Sequence, residues 1–475
     1  MSERLPVEVK FIGEPFCREA VIHTLRHLAM RAGWTISPGA QHRILYATTD
    51  NPREITAEEK DIVILSSSSV SRHLAESDTP LPFETMANGR FPFPHKNWRT
   101  FSKPGWITTD VIAGAWAVLN LWYEARTQTV GAGDWILFTE DWWRKAGWAQ
   151  PEPVVDNWLD AILTDAIMLG WPSREEEKQP TVLLTHDVDY LPSPFNRGIS
   201  RLSRSLVRHV VSRKRPGDAM LNMMAYARAC RQTLPYFDFE KIVSEETMRG
   251  VFSSFQFVAR SDHENDPGYD IHHPNLREIL RYLEEKGFEI CLHGSFRAGN
   301  DPARLVEEKG QLEQVLRRKI AGHRQHYLHF HPHSFFRGIE NAGLQYDMSV
   351  GYNDMAGPRA GTYFPYRPFD IERGRPYVFW EYPLVLMDTT LATGYALSPA
   401  EAFHAACKEL ERAAAARGCV SIIWHQEQLG GLLDPGYDRV YWDLLDDLRR
   451  QQIRMTSGNK VLAEFDALWE ESLAR

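Results

Sequence analysis

No run of 18 apolar residues occurs in this 475-residue chain, and residues 1–6 (MSERLP) carry no apolar leader. The first absence argues against an apolar membrane-spanning helix, and the second sets the expectation of a soluble, cytoplasmic protein. Cysteine is sparse: Cys17, Cys230, Cys291, Cys407 and Cys419 are odd in number, scattered, and form no C-x-x-C pair. That argues against a disulfide scaffold or a cysteine zinc knuckle and fits a reducing compartment. Excess positive charge is missing as well. Net charge is -9, so the chain lacks a general nucleic-acid footprint. Neither G-x-G-x-x-G nor a P-loop is present, and there is no internal repeat or low-complexity tract. At 43% hydrophobic and 25% charged residues, the composition is ordinary for a globular protein, and the length allows two or three domains.

What is present begins with apolar alternation at 7–13, helical spacing over 18–31 (Ala20, Ile22, Leu25, Leu28, Met30) and short apolar runs at 44–47 and 61–65. This β-α-β-β order predicts a small α/β layer. Apolar helices are expected over 108–124 and 153–169. Eleven of the 15 tryptophans precede residue 172. Indoles at this density can stack sugar rings, but they more often fill a core, and core is the expectation here. Residues 172–180 (PSREEEKQP) have the composition of a linker. They divide the chain into an N-terminal α/β extension at 1–175 and a second domain at 180–460.

The second part alternates. Strands are expected at 181–189, 251–258, 287–293, 320–328, near 345–349, 378–386 and 419–425, and helices at 275–286, 302–318, 399–417 and 439–451. Alternation argues a parallel sheet. About seven strands without a dinucleotide fingerprint point to a closed or nearly closed β/α barrel, whose functional side chains sit at the carboxyl ends of strands. After the first of these strands, residues 191–216 hold no acid but carry Arg197, Arg201, Arg204, Arg208, Arg213, Lys214 and Arg215. This basic amphipathic segment, 197–215, is either a helix packed on its own domain or a contact to a membrane surface or an anionic substrate group.

The strand ends are where chemistry gathers. The apolar run TVLLTHDVDY (181–190) ends in Asp187 and Asp189, which share one face of a strand while His186 and Val188 take the other. Two acids side by side at a buried strand end repel each other and are kept there by a metal, an arginine or a catalytic role. His293 ends another strand, Arg324 and His326 stand together in GHRQHYL (322–328), and His425 ends IIWH (422–425). Carboxylates with imidazoles suit a divalent ion such as Zn²⁺, which polarises a carbonyl and acidifies a water. One carboxylate can then take the water's proton, and an imidazole can return one to the leaving group. The inventory reads as metal-assisted hydrolysis of an amide or ester.

These motifs resemble the polysaccharide deacetylases with a NodB homology domain, and in particular a subgroup with a T-H-D-V-D first motif and an N-terminal extension. The resemblance covers residues 180–430 and, more weakly, 105–170 through Asp110-Val-Ile-Ala and Pro153-Val-Val-Asp. It implies an irregular (β/α) barrel, removal of an acetyl group from a sugar or glycan precursor, and a divalent metal, zinc by preference. Carried to this sequence, it makes Asp187 the general base, Asp189 and His293 metal ligands, Arg324 the partner of the base, and His425 the general acid. Asp388 or Asp347 would orient that imidazole, and Tyr327, Trp424 and Asp388 are expected against the substrate. One position departs. The second histidine of the family's H-x-x-x-H metal motif falls on Arg297, which cannot bind a metal. In a strand Arg324 and His326 share a face, so His326 is the stand-in, while His329, His331 and His333 are expected on the following loop.

Two other readings use the same residues. An Asp-x-Asp strand end can hold Mg²⁺ or Mn²⁺ on a nucleotide-sugar diphosphate, as in a glycosyltransferase, but such a site has no need of three histidines. An inert barrel that binds glycans through its tryptophan-rich half would follow from loss of the second histidine. It has no physical need of Asp187, Arg324 and His425 together.

Overall fold

The computed structural model describes residues 4–86, 89–94, 105–127, 141–172, 178–191, 220, 223, 239–430 and 434–474, so the basic segment 197–215 lies outside the described residues. The strand Thr181–Asp187 is buried at all seven positions, as an apolar run covered on both faces must be. It pairs in parallel with Cys419–Ile423 along one edge. Along the other edge it pairs first with Arg454–Thr456 and then with Ser254–Val258. From Ser254–Val258 the sheet runs through Glu289–Gly294, Gly322–Gln325 and Tyr346–Asp347 to Trp380–Glu381, and from Cys419–Ile423 it runs to Leu384–Met387. Only Tyr382 and Pro383 separate the two outermost strands, so both edges belong to one chain segment. In that segment the Tyr382 and Leu384 amides donate to Asp347 and Val350 (2.9 and 3.3 Å), while the Pro383 carbonyl accepts from Ser421 (2.7 Å). The sheet therefore curls into an α/β barrel.

All these pairings are parallel, so the carboxyl ends of the strands face one rim. The strand expected over 320–328 is cut short. Pairing stops at Gln325, and His326–Leu328 form a 3₁₀ turn with φ of 59° at Tyr327 and 52° at Leu328. Two consecutive non-glycine residues in that region cost on the order of 1–3 kcal/mol each, which the surrounding structure must offset. Gly294, beside His293, sits at a close approach: a Cβ there would lie 2.6 Å from His323 Nε2 and 2.5 Å from Gln325 Oε1, so one of those side chains would have to shift.

The first 172 residues hold a second parallel sheet, in the spatial order Trp34–Ile36, Leu5–Ile12, His42–Thr48, Ile62–Ser66, Trp106–Ile107. Its two outer strands are three and two residues long, too short for a period of two to show in the sequence. Helix Val111–Leu119 is buried at every position, and Trp34, Trp116, Trp122, Trp143, Trp158 and Trp171 are core residues. Buried polar links tie this layer to the barrel. Asp156 pairs with Arg31 (3.1 Å) and accepts from Thr362 Oγ1 (2.6 Å) and the Tyr363 amide (2.8 Å). Glu124 pairs with Arg359, and both are fully buried. Replacing Glu124 by Ala strands the Arg359 charge and is expected to cost about 3–5 kcal/mol. The loss should read as a lower denaturant midpoint with an unchanged m-value. Among the described residues no helix is long and apolar enough to cross a membrane.

Candidate metal and catalytic centre

Asp187 closes the first barrel strand and Asp189 follows two residues on. The Tyr269 hydroxyl donates to the Val188 carbonyl (3.0 Å) and accepts from the Val258 amide (2.8 Å), which fixes the backbone between the two acids. Asp187 Oδ1 lies 3.5 Å from Arg324 Nε, and its Oδ2 lies 3.6 Å from His293 Nε2. Asp189 Oδ1 lies 3.2 Å from His293 Nε2. Its Oδ2 lies 3.2 Å from His326 Nε2 and 3.7 Å from His425 Nε2.

His293 and His425 each meet an acceptor through the outer nitrogen, and that of His326 faces one at longer range. His293 Nδ1 donates to the Arg324 carbonyl (2.9 Å), which leaves Nε2 facing the acids. His425 Nδ1 donates to Asp388 Oδ1 (2.6 Å), and the His425 amide donates to Asp388 Oδ2 (2.8 Å). His326 Nδ1 faces Asp266 Oδ1 at 3.7 Å. Asp388 is therefore the carboxylate that holds His425, whereas Asp347 accepts from His323 Nδ1 (2.6 Å). Both Asp388 oxygens are taken up by His425 and the Thr389 amide.

Burial is the largest influence on Asp189, Arg324, His326 and His425 and opposes ionisation; neighbouring charges outweigh it at three of them. His326 and His293 hold Asp189 well below the usual carboxylate range. Asp189 and Asp266 raise His326 to about 9. Asp388, with Asp189 and Asp187 behind it, raises His425 to about 10. At Arg324 burial prevails and pulls the pKa down, with Asp187 the strongest opposing charge. Arg324 Nη2 donates to Thr185 Oγ1 at 2.9 Å.

Asp187, Asp189, His293, Arg324, His326 and His425 thus converge. Tyr327 is half-buried and stacks on the His326 ring (centroids 4.3 Å apart, planes 29°). Trp424, expected against the substrate, is instead fully buried with its indole against Tyr437 and Tyr441. The period of two explains the correction: Trp424 and His425 point to opposite sides of the same chain. Arg297 is exposed. His329 stacks on Phe296 (4.3 Å, 2°) and His333 pairs with Glu372, so neither joins the cluster. Two contributors carried no sequence signal. Asp266 comes from the loop after Ser254–Val258. Glu246, on helix Phe239–Met248, meets His186 Nε2 at 2.9 Å while His186 Nδ1 donates to the Trp424 carbonyl (2.7 Å), joining the strands that carry base and acid.

Asp189, His293 and His326 each offer one donor atom, all within 4.8 Å of one another. Asp189 Oδ1 and His293 Nε2 are buried and make no hydrogen bond. Ligand atoms about 2.1 Å from one tetrahedral zinc stand roughly 3.4 Å apart; His293 Nε2 lies 3.2 Å from Asp189 Oδ1 and His326 Nε2 lies 3.2 Å from Asp189 Oδ2, so either oxygen starts near that spacing from one imidazole. The residues therefore fit a divalent ion.

The chain matches no family model and no curated protein. It is similar to several solved structures. One is a protein from Mycobacterium smegmatis described as a polysaccharide deacetylase (15% identity, 62% of this chain, 93% of that chain, TM-score 0.40). A second is the Puue allantoinase (15%, 62%, 92%, TM-score 0.42). A third is the Xyl-CE4 domain of a multidomain xylanase from the hindgut metagenome of Trinervitermes trinervoides (10%, 61%, 92%, TM-score 0.32).

Proposed function

We propose that this protein is a metal-dependent hydrolase that removes an acetyl or related acyl group from a sugar or glycan precursor. The observation that carries the reading is the convergence of the Asp189, His293 and His326 donor atoms, with the Asp187–Arg324 pair beside them and the His425–Asp388 pair within reach of Asp189. A divalent ion held by Asp189, His293 and His326 would supply carbonyl polarisation and acidify a water. Asp187, whose Oδ1 makes no hydrogen bond and lies 3.5 Å from Arg324 Nε, is the proton acceptor for the attacking water in this reading. His425 is placed to give a proton to the leaving nitrogen or oxygen. The half-buried Tyr327 ring beside His326 offers a face to the CH groups of a sugar. The sugar itself rests on the motif resemblance.

The test is acetate release from N-acetylated and O-acetylated oligosaccharides by protein stripped with a chelator and then reloaded. Release that vanishes on stripping and returns with zinc or another divalent ion supports the reading. Stoichiometric metal without release from either class, or release indifferent to chelation, overturns it.

The acid role has its own signature. Asp388 favours the charged imidazole, so His425 stays protonated through neutral pH and activity should persist into the alkaline range before it decays. Asp388→Asn removes the strongest charge supporting that protonation. The alkaline limb should then move down by about 1–3 pH units, read from a pH–rate profile. An unmoved limb would remove His425 from the role.

A further inference from the structure

We infer that Asp266 is the positioning carboxylate that makes His326 the third metal ligand, in place of the motif histidine missing at position 297; this rests on the metal centre proposed above. The sheet cannot aim His326, because strand pairing ends at Gln325 and the next residues turn through left-handed backbone. Asp266 can. It is buried, and its carboxylate is held from two loops at once. Its Oδ2 accepts from the Asp262 and His263 amides (3.2 and 3.0 Å), and its Oδ1 accepts from the Phe296 amide (2.8 Å). The same Oδ1 faces His326 Nδ1 at 3.7 Å, inside ion-pair range and beyond hydrogen-bond range.

A metal-binding imidazole is neutral, with its proton on the nitrogen away from the ion, and the partner of that N–H sets both tautomer and ring orientation. With an ion on Nε2, the nitrogen His326 turns to Asp189, the proton would lie on Nδ1, and the carboxylate that Nδ1 faces is Asp266. His293 follows the same logic with a carbonyl, that of Arg324. The Phe296 contact also accounts for Arg297. The turn that bears position 297 is tied to Asp266 through the preceding amide, and its side chain is left exposed while His326 supplies the ligand.

The experiment is a double-mutant cycle on zinc affinity, measured by competition with a chromophoric chelator, for the full-length protein and for D266N, H326A and D266N/H326A. D266N should weaken zinc roughly 10–100-fold, H326A by at least as much, and the double variant should match H326A alone. Equal affinity in D266N and the parent overturns the inference. So does an undiminished effect of D266N in the H326A background, since Asp266 would then act through its loop rather than through His326. If melting shows D266N misfolded, Asp266→Ser keeps an acceptor for the loop amides and is expected to show the same loss. A parent protein that binds no zinc overturns the metal centre and this inference together, whereas a zinc-binding parent with an indifferent D266N overturns this inference alone.

Discussion

Asp187→Asn is expected to lower turnover by roughly 10²–10⁴-fold while the protein keeps its metal. The carboxylate is buried, with Arg324 Nε at 3.5 Å and His293 Nε2 at 3.6 Å. An amide of the same shape preserves packing and removes the proton acceptor. It also leaves the Arg324 guanidinium, itself fully buried, without its nearest carboxylate. Removing one partner of a buried pair typically costs about 3–5 kcal/mol, so the variant should melt earlier, and rates must be compared at a temperature where both proteins are folded. Two readouts then separate the roles. Metal content near that of the parent with turnover lost marks the base. Turnover equal to the parent's at that temperature would mean that Asp187 is a partner for Arg324 and no more.

The second large effect is expected from His293→Ala. His293 is the donor whose geometry is most fully determined, with Nδ1 committed to the Arg324 carbonyl and Nε2 left facing Asp189. Loss of a direct donor should weaken metal at least as much as loss of an outer partner, which is about 10–100-fold. Stability gives an independent measure. A ligand that binds only the folded state stabilises it by RT ln(1 + [L]/Kd), about 2.7 kcal/mol at a hundred times Kd. Zinc should therefore raise the melting temperature of the parent protein and leave that of the variant nearly unmoved at the same concentration. An equal rise in both would place the ion elsewhere.

The sequence by itself determined the frame of the site. An apolar, partly β-branched run, too apolar for an edge strand, had to sit inside a sheet, and alternating helices had to make that sheet parallel. Parallel strands put their carboxyl ends on one rim, so Asp187, Asp189, His293, Arg324 and His425 could be grouped before any coordinates. Side-chain alternation and strand ends are local properties of the chain. Read consistently, the same parity would have removed Trp424 from the substrate side.

Tertiary structure decided what depends on contacts across long stretches of chain. Asp388 rather than Asp347 holds His425 because His323 already occupies Asp347. His326 reached the site, but by a 3₁₀ turn rather than along the strand from which its facing was argued, and it meets Asp189 across 137 residues of chain. Asp266 sits in a loop whose sequence has no period to read; its carboxylate acquires a purpose only when backbone amides from 262, 263 and 296 converge on it. Backbone hydrogen bonding and hydrophobic period act on neighbours and are written in the order of residues. The aim of a buried polar side chain depends on which distant group shares its cavity, and that is decided only once the chain has closed on itself.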